Sequence, residues 1–438
     1  MSSEIESGKY ERKKMSFMIG YSFIIHSFLM YWIQGIMTTS GNNIFIPYFV
    51  NNFGWERTTI LNWLTVAAFT AVFGATFFAQ MVKKFGPRKV TVITLLVGGV
   101  FTVLFGRVSV LGIFIGVSVV IFIFAQGWAG VTTNTLITNW YPRRKAIILG
   151  ITTMGLPFAS IAFVPTLNYL VNNISFPFAY LCVGILMIII GIASIFWVKD
   201  NPEDVGLSPD NDDLTEAQMK NAVAKLKNFQ SQWSLGKLLR DRNAWLLVIA
   251  FGVMFMCNKG MIGQMVYYFI DKGFDQPQAI LFISRISFCG LAGSYIWGFI
   301  DDRIGTKQAS VLYGFIYGLG FFLMFLGQAN AVMWIGVIIF EFCMGGIGNL
   351  IPSMIVTCYG RYEFPTVNRL LNPIIATIYA LANWSIGFSA DIMGGTGRAP
   401  VVYAALVVIC ALLIIAIKPN PRKDLDYNTP VATEGDKR

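Results

Sequence analysis

The chain contains twelve apolar runs, each long enough to cross the hydrocarbon core of a bilayer as a helix. A core of ~30 Å is crossed by about 20 apolar residues in a helix. Of the 438 residues, 55% are hydrophobic and only 13% are charged. The sequence therefore predicts an all-α membrane protein with twelve transmembrane helices. The runs cover residues 15–38, 57–80, 88–107, 110–140, 146–170, 176–198, 243–269, 277–300, 308–327, 331–357, 367–388 and 399–417.

The positive charges predict the orientation, because lysine and arginine in short loops stay on the cytoplasmic side. If both chain ends are cytoplasmic, 27 of the 33 lysines and arginines fall on that side. We therefore expect a multi-pass protein of the cell membrane with cytoplasmic N- and C-termini. The net charge of +10 is then explained by topology and by anionic lipids, and no nucleic-acid partner is expected.

Two short motifs recur at half the chain length. "KKFGPRK" after the second run is answered by "DDRIGTK" after the eighth, and Gly86 and Gly305 are 219 residues apart. "NWYPRR" after the fourth run is answered by "TCYGRY" after the tenth, with Tyr141 and Tyr359 218 residues apart. Two matches in register indicate a duplicated six-helix unit. The predicted segments are an N-terminal arm (1–14), two six-helix bundles (15–198 and 243–417), a cytoplasmic linker (199–242) and a cytoplasmic tail (418–438).

Several function classes lack their sequence signatures. No GxxxxGK[ST] motif is present, and the six cysteines show neither CxxC spacing nor a nearby histidine pair. We therefore expect no enzyme activity, no cofactor and no metal site. The first apolar run is long enough to span a bilayer and no small-residue cleavage site follows it, so it is expected to be the first helix and not a cleaved signal peptide.

The stretch "GFIDDRIGTK" (298–307) resembles the loop signature of the major facilitator superfamily, G-x-x-x-D-R-x-G-x-[RK]. "NTLITNWYPRRKAIILGIT" and "NPEDVGLSPDN" are also similar to segments after helices 4 and 6 in its organic-anion branches. The resemblance implies two six-helix repeats that rock around a substrate held between them. It assigns a gating role to the loop residues Gly298, Asp302, Arg303 and Gly305.

The nearest branch resembles the oxalate/formate antiporter and monocarboxylate-transporter group, but this chain departs from it. The first-half signature has Lys83 in place of the usual aspartate and Ala79 in place of a glycine. Ser294 stands where that group has its anion-binding arginine in helix 8. Ala376 stands where that group's antiporters have a lysine in helix 11. Oxalate itself is therefore not the expected substrate.

Four ionisable residues are predicted to lie near the middle of the membrane, which makes them candidates for function. Lys259 on helix 7 and Arg285 on helix 8 are the expected anchors for an anion. Glu341 on helix 10 is the expected proton carrier, with His26 on helix 1 as the alternative. In the superfamily, helices 1, 4, 7 and 10 line the central cavity and are flanked by helices 2, 5, 8 and 11, so the resemblance implies that these groups ring one level of it.

Structural explanations stay open for each of these residues. Lys259 could extend toward the headgroups, and a Lys259–Glu341 or Arg285–Glu341 pair could be purely structural. Arg285 is about 180° of helical turn from Ser294, so both cannot face the cavity. His26 could be a hydrogen-bonded core residue, and helix–helix hydrogen bonds explain the remaining deep polar residues equally well. These are Gln34, Gln126, Asn134, Asn258 and Asn372.

Aromatic residues make up 15% of the chain and could form a stacking wall around a substrate, although packing is the default explanation. The main hypothesis is a monomeric secondary transporter of a small organic anion, a monocarboxylate, working by proton symport or anion exchange. The alternatives are an exporter of amphipathic drugs or metabolites and a transport-dead membrane sensor. The predicted substrate-lining aromatics are Tyr31, Trp32, Trp128, Tyr267 and Tyr379, and Trp384 belongs to the same wall.

Overall fold

The structure, a computed structural model, describes residues 17–141, 145–202, 231–360 and 363–419. The N-terminal arm, most of the linker and all but the start of the C-terminal tail lie outside the described residues. The described elements are all helices. Nine of them are long and apolar enough to cross a bilayer alone, two segments bent by 48° make a tenth span, and Pro400–Ile415 is a shorter apolar helix. With the helix that begins at Phe17, we count twelve spans in the described residues. The predicted all-helical membrane fold is confirmed.

Six spans form the N-terminal half. α1 runs through Phe17–Gly35, a π-helical turn at Ile36–Ser40 and Asn42–Phe53. α5 is similarly divided into Lys145–Thr153, Gly155–Phe158, a π-helical turn at Ala159–Phe163 and Val164–Asn173. The others are α2 (Arg57–Phe85), α3 (Pro87–Phe105), α4 (Leu111–Trp140) and α6 (Phe176–Trp197).

Six further spans form the C-terminal half, and three of them are broken. α7 consists of Arg242–Ile262 and Met265–Asp271, α10 of Ala331–Met344 and Ile347–Tyr359, and α11 of Phe364–Tyr379 and Ala382–Met393. The unbroken spans are α8 (Gln276–Ile304), α9 (Thr306–Leu326) and α12 (Pro400–Ile415). A short helix, Leu235–Leu238, precedes α7.

The helix pairing of the first half is repeated in the second. α3 packs along α6 as α9 packs along α12, and α2 packs along α4 as α8 packs along α10. Glycines allow the closest approach, since a Cβ on Gly99 of α3 would lie only 2.9 Å from the carbonyl oxygen of Gly184 on α6. This correspondence is what a duplicated six-helix unit produces.

The two halves are joined by hydrogen bonds near one end, at which α1 meets α2 and α7 meets α8. This is the end predicted from the charges to face outward, and we call it the predicted outer end. All hydrogen bonds found between described residues of the two halves lie in the outer part of the spans. They join Asn42 to Asn383, Asn43 to Ile262 and Val266, Arg57 to Gln264, Thr65 to Trp384, and Ser160 to Ser284.

Candidate functional site

Lys259 has an aromatic environment in place of an acidic one. Its ammonium nitrogen lies 4.7 Å from the ring centre of Tyr379 on α11 and 5.3 Å from that of Phe255, one turn earlier on α7. The two rings are nearly perpendicular to each other, with their centres 4.9 Å apart. We call these two rings and the ammonium group the lysine cage. Within the described ranges, Lys259 forms neither a hydrogen bond nor an ion pair. The side chain is half-buried, so its three N–H donors remain available for a ligand.

The N-terminal half contributes a hydrogen-bonded pair to the candidate site. Tyr31 of α1 donates its hydroxyl hydrogen to the side-chain oxygen of Asn134 on α4 at 3.0 Å. Asn134 is exposed although it lies within a membrane-spanning helix. We define Lys259, Phe255, Tyr379, Tyr31 and Asn134 as the candidate site; it draws residues from both halves.

Glu341 of α10 is buried, with 2% of its surface exposed. A Cβ added at Gly290 of α8 would lie 3.4 Å from Glu341 Oε2, so the carboxyl group lies against α8. Oε2 has no hydrogen-bond partner among the described residues, and Glu341 forms no ion pair there with Lys259 or Arg285. The two structural ion pairs considered from the sequence are therefore not formed, and the carboxyl group has no neutralising cation beside it.

Arg285 is exposed on α8. It lies on the same helical face as Leu281 and Phe288, whose side chains are 50% and 57% exposed. Ser294, on the opposite face, is buried and donates a hydrogen bond to the Gly345 carbonyl oxygen at 3.1 Å. The structure therefore places Arg285 on an exposed face of α8 that carries apolar side chains, and no described contact joins it to Lys259.

His26 lies between α1 and α6, away from the other three ionisable residues. Its Nε2 is 3.0 Å from the Ser194 hydroxyl, and its ring packs edge-on against Trp197 at 5.7 Å. The side chain is fully buried. This arrangement fits the hydrogen-bonded core residue considered from the sequence.

The other predicted aromatic residues occupy three different environments. Trp32 packs against Phe163 of α5 with the rings perpendicular at 5.8 Å. Trp128 is fully buried in the N-terminal half, where a Cβ on Gly98 would collide with its ring. Tyr267 lies near the predicted outer end beneath the guanidinium of Arg57, 4.2 Å from it. Of the five aromatics predicted to line the substrate path, Tyr379 contacts Lys259, and Tyr31 is paired with Asn134.

The gating signature forms the turn between α8 and α9. Gly305 has φ +84°, a backbone conformation that favours glycine. Asp302 and Arg303 are exposed, and the Arg303 guanidinium lies 4.8 Å from the Phe299 ring centre. A Cβ on Gly298 would meet nothing within 4 Å. Among the described residues, no hydrogen bond or ion pair joins this turn to the N-terminal half.

The matching turn between α2 and α3 uses an acid from elsewhere in the sequence. Gly86 has φ +84°, as Gly305 does. Asp200, three residues after α6 ends, accepts a hydrogen bond from the backbone N–H of Arg88 at 2.7 Å and thereby caps α3. The same segment is held by Trp140, whose indole N–H donates to the Lys199 carbonyl oxygen at 3.0 Å. Asp200 thus supplies a carboxylate beside a turn that has Lys83 in the aspartate position.

Sequence reasoning missed three residues that shape these sites. Phe255 is four residues before Lys259, a spacing that places both on one face of a helix. Asn43 and Asp200 act across large sequence separations, and their polar character alone does not identify their partners. In the described part of the chain, no cluster of three histidine, cysteine or acidic side chains is arranged to hold a metal ion.

Comparisons with known proteins agree with this architecture. A bacterial homologue of the human lysosomal transporter Spinster, in an inward-facing and unoccupied conformation, matches with a TM-score of 0.69 and 14% identity, over 92% of this chain and 98% of that one. A POT family transporter in complex with 5-aminolevulinic acid matches with a TM-score of 0.68 and 14% identity, over 93% and 98% of the two chains. At these identities the likeness concerns the fold. A search of curated proteins found no match.

The sequence profile of the Major Facilitator Superfamily matches residues 27–382. The chain therefore belongs to this superfamily of membrane transporters, as its loop signature indicated. The finer resemblance to the oxalate/formate and monocarboxylate branch stays a prediction.

Proposed function

We propose that this transporter moves a small organic anion, a monocarboxylate, through a path between its two halves. The observation that carries the proposal is the unpaired ammonium group of Lys259. A lysine at the centre of a membrane helix costs at least ~2.5 kcal/mol on insertion scales. The rings of Tyr379 and Phe255 attract the cation but accept no conventional hydrogen bonds from it. A substrate carboxylate would supply both the missing negative charge and the missing acceptors.

The number of charges in the candidate site favours a monocarboxylate over a dicarboxylate. Lys259 is its one cation, since Arg285 has no described contact with the residues of the site. A second substrate carboxylate would enter a low-dielectric space without a partner, which is strongly unfavourable. Tyr379 and Phe255 provide apolar surface for the body of the substrate. The Tyr31–Asn134 pair provides polar groups on the opposite wall.

Glu341 is proposed as the proton carrier of a symport mechanism. Burying an unpaired carboxylate is costly, and a bound proton removes its charge. The carboxyl group lies at the contact between α8 and α10 and near Pro157 of α5, because a Cβ at Gly290 would be 3.4 Å from Glu341 Oε2 and 3.7 Å from Pro157 Cβ. Protonation would therefore change the charge where the two halves approach each other. Anion exchange without protons is the alternative coupling mode.

The distribution of lysine and arginine supports a cell-membrane location with both chain ends in the cytoplasm. The hydrogen bonds that join the halves would then close the extracellular end, leaving the candidate site accessible from the cytoplasmic side. We propose that the protein works as a monomer, with a substrate path inside a single chain.

A ligand screen with the purified protein tests the substrate class. A ligand that binds only the folded state raises the melting temperature in proportion to the logarithm of its concentration. We expect concentration-dependent stabilisation by monocarboxylates and little by dicarboxylates, sugar phosphates or amphipathic cations. Stabilisation by amphipathic cations alone would contradict the proposal and favour the drug-exporter alternative. Binding without flux in proteoliposomes would favour a sensor.

A further inference from the structure

The break in α7 is held by a side chain from the other half of the protein. Between Ile262 and Met265 the helix is interrupted, which leaves backbone groups without their helical partners. Asn43 of α1 serves both sides of the break. Its Nδ2 donates to the Ile262 carbonyl oxygen at 2.9 Å, and its Oδ1 accepts from the Val266 N–H at 3.0 Å. Asn43 is 1% exposed, so water does not readily replace it.

The neighbouring asparagine makes a related contact with α11. Asn42 donates from Nδ2 to the side-chain oxygen of Asn383 at 3.4 Å. Asn383 lies just after the break in α11, which falls between Tyr379 and Ala382. Two adjacent residues of the N-terminal half therefore contact the broken regions of two helices in the C-terminal half.

These breaks lie directly beside the lysine cage. Lys259 is three residues before the end of the first part of α7, and Tyr379 is the last residue of the first part of α11. The relative position of the ammonium group and the ring thus depends on how the two helices are held at their breaks. Asn43 lies in the contact that keeps the predicted outer end closed.

We infer that Asn43 is a positioning residue, whose carboxamide holds α7 at its break and keeps Lys259 in its cage while the predicted outer end is closed. The contact must part when that end opens, because its two sides belong to different halves. The consequence for Lys259 rests on the proposed function, whereas the closure itself does not.

Three variants separate this role from ordinary packing. Asn43→Ala removes both hydrogen bonds to α7. Asn43→Ser keeps one hydroxyl, which can serve at most one of the two α7 groups, so a smaller effect of the same sign is expected. Asn52→Ala is the matched control, since Asn52 is exposed on the same part of α1 and donates only to the Tyr48 carbonyl oxygen at 2.9 Å.

Opening is measured by the alkylation rate of a cysteine introduced as Leu61→Cys. Leu61 of α2 is 1% exposed and faces Gly387 of α11, so a cysteine there becomes accessible when the halves part. The purified protein in detergent is used without substrate, and the protein lacking the new cysteine gives the background rate. Asn43→Ala should accelerate labelling on the order of tenfold, the effect of losing hydrogen bonds at a closed interface. Asn52→Ala should leave the rate unchanged.

Amide hydrogen exchange gives a second readout that needs no introduced cysteine. In Asn43→Ala, the peptide containing Val266 should exchange faster, whereas α9 peptides should keep their protection. If Asn43→Ala does not fold, Asn43→Ser is measured in the same way. Unchanged labelling of the introduced cysteine together with unchanged exchange around Val266 would overturn the inference. Neither measurement uses a carboxylate, so an error in the proposed substrate would leave both outcomes as they are.

Discussion

The ammonium nitrogen of Lys259 lies 4.7 Å from the ring centre of Tyr379, and no acidic side chain in the described part of the chain pairs with it. Membrane-buried cations usually pair with an acid or with backbone carbonyl groups. The two rings of the lysine cage offset part of the cost of burying the charge and leave the N–H donors of the lysine free. This relationship is the basis for the transport proposal and for its final test.

Neutral replacements of Glu341 and of His26 should have different effects on proton movement. Glu341→Gln should abolish anion-driven proton movement but preserve anion exchange, because the amide keeps the shape of the side chain and cannot carry the proton. His26→Gln should change little, since glutamine can still hydrogen-bond to Ser194. The measurement is the anion-dependent pH change inside proteoliposomes, with counterflow in the same vesicles as the control for exchange.

The opposite pattern would transfer the role. If proton movement survives in Glu341→Gln and disappears in His26→Gln, the histidine is the carrier. If proton movement survives in both variants, neither residue carries the proton.

The turns at Gly86 and Gly305 form a matched pair for a stability test. Both glycines have φ +84°, so alanine at either position costs about 1–3 kcal/mol of backbone strain. A Cβ at Gly86 would also collide with the Asp200 carboxylate, whereas a Cβ at Gly305 meets nothing within 4 Å. Gly86→Ala should therefore lower the melting temperature more than Gly305→Ala.

Asp200→Ala supplies the control for that comparison. In its background the collision is gone, so Gly86→Ala should cost about as much as Gly305→Ala does in the parent. A Gly86→Ala penalty that is the same with and without the Asp200 carboxylate would show that the contact has no energetic effect.

The acid of the gating signature should matter more than the lysine at the matching position. Asp302 and Lys83 are both exposed at the predicted inner end, where the halves must approach when that end closes. Asp302→Asn removes the negative charge of the second turn, whereas the first turn has Lys83 at the matching position and no acid to lose. We expect it to reduce the transport rate more than Lys83→Asn, at equal expression. Equal rates in a flux assay would remove this distinction between the two turns.

Hydropathy predicted the spans well, because a bilayer requires long apolar helices with satisfied backbone groups. The prediction placed α2 at 57–80, and the structure has it at Arg57–Phe85. The end of α1 was harder to predict. The apolar run ends near residue 38, but helical structure resumes at Asn42 and continues through Pro47 to Phe53. Contacts with the second half support this continuation, and the local sequence does not indicate them.

The depth of a residue in the membrane could be estimated from the sequence more easily than the neighbours that its side chain faces. Lys259, Arg285, Glu341 and His26 lie on helices that span the membrane, but only the tertiary structure shows which neighbour each one faces. For Arg285 the helical period gave a usable constraint, since its 180° separation from Ser294 excludes a shared face. The contacts of Asn43 and Asp200 depend on how distant helices are placed together, which residue type and spacing do not specify.

The most direct test of the central claim is carboxylate binding by Lys259→Met, measured by titration of the purified protein. Methionine keeps most of the side-chain volume and removes the charge, while Lys259→Arg keeps the charge and Lys89→Met removes an exposed lysine elsewhere. The account predicts that Lys259→Met folds and loses binding, that Lys259→Arg retains part of it, and that Lys89→Met binds as the parent does. Undiminished carboxylate binding by Lys259→Met would contradict the account.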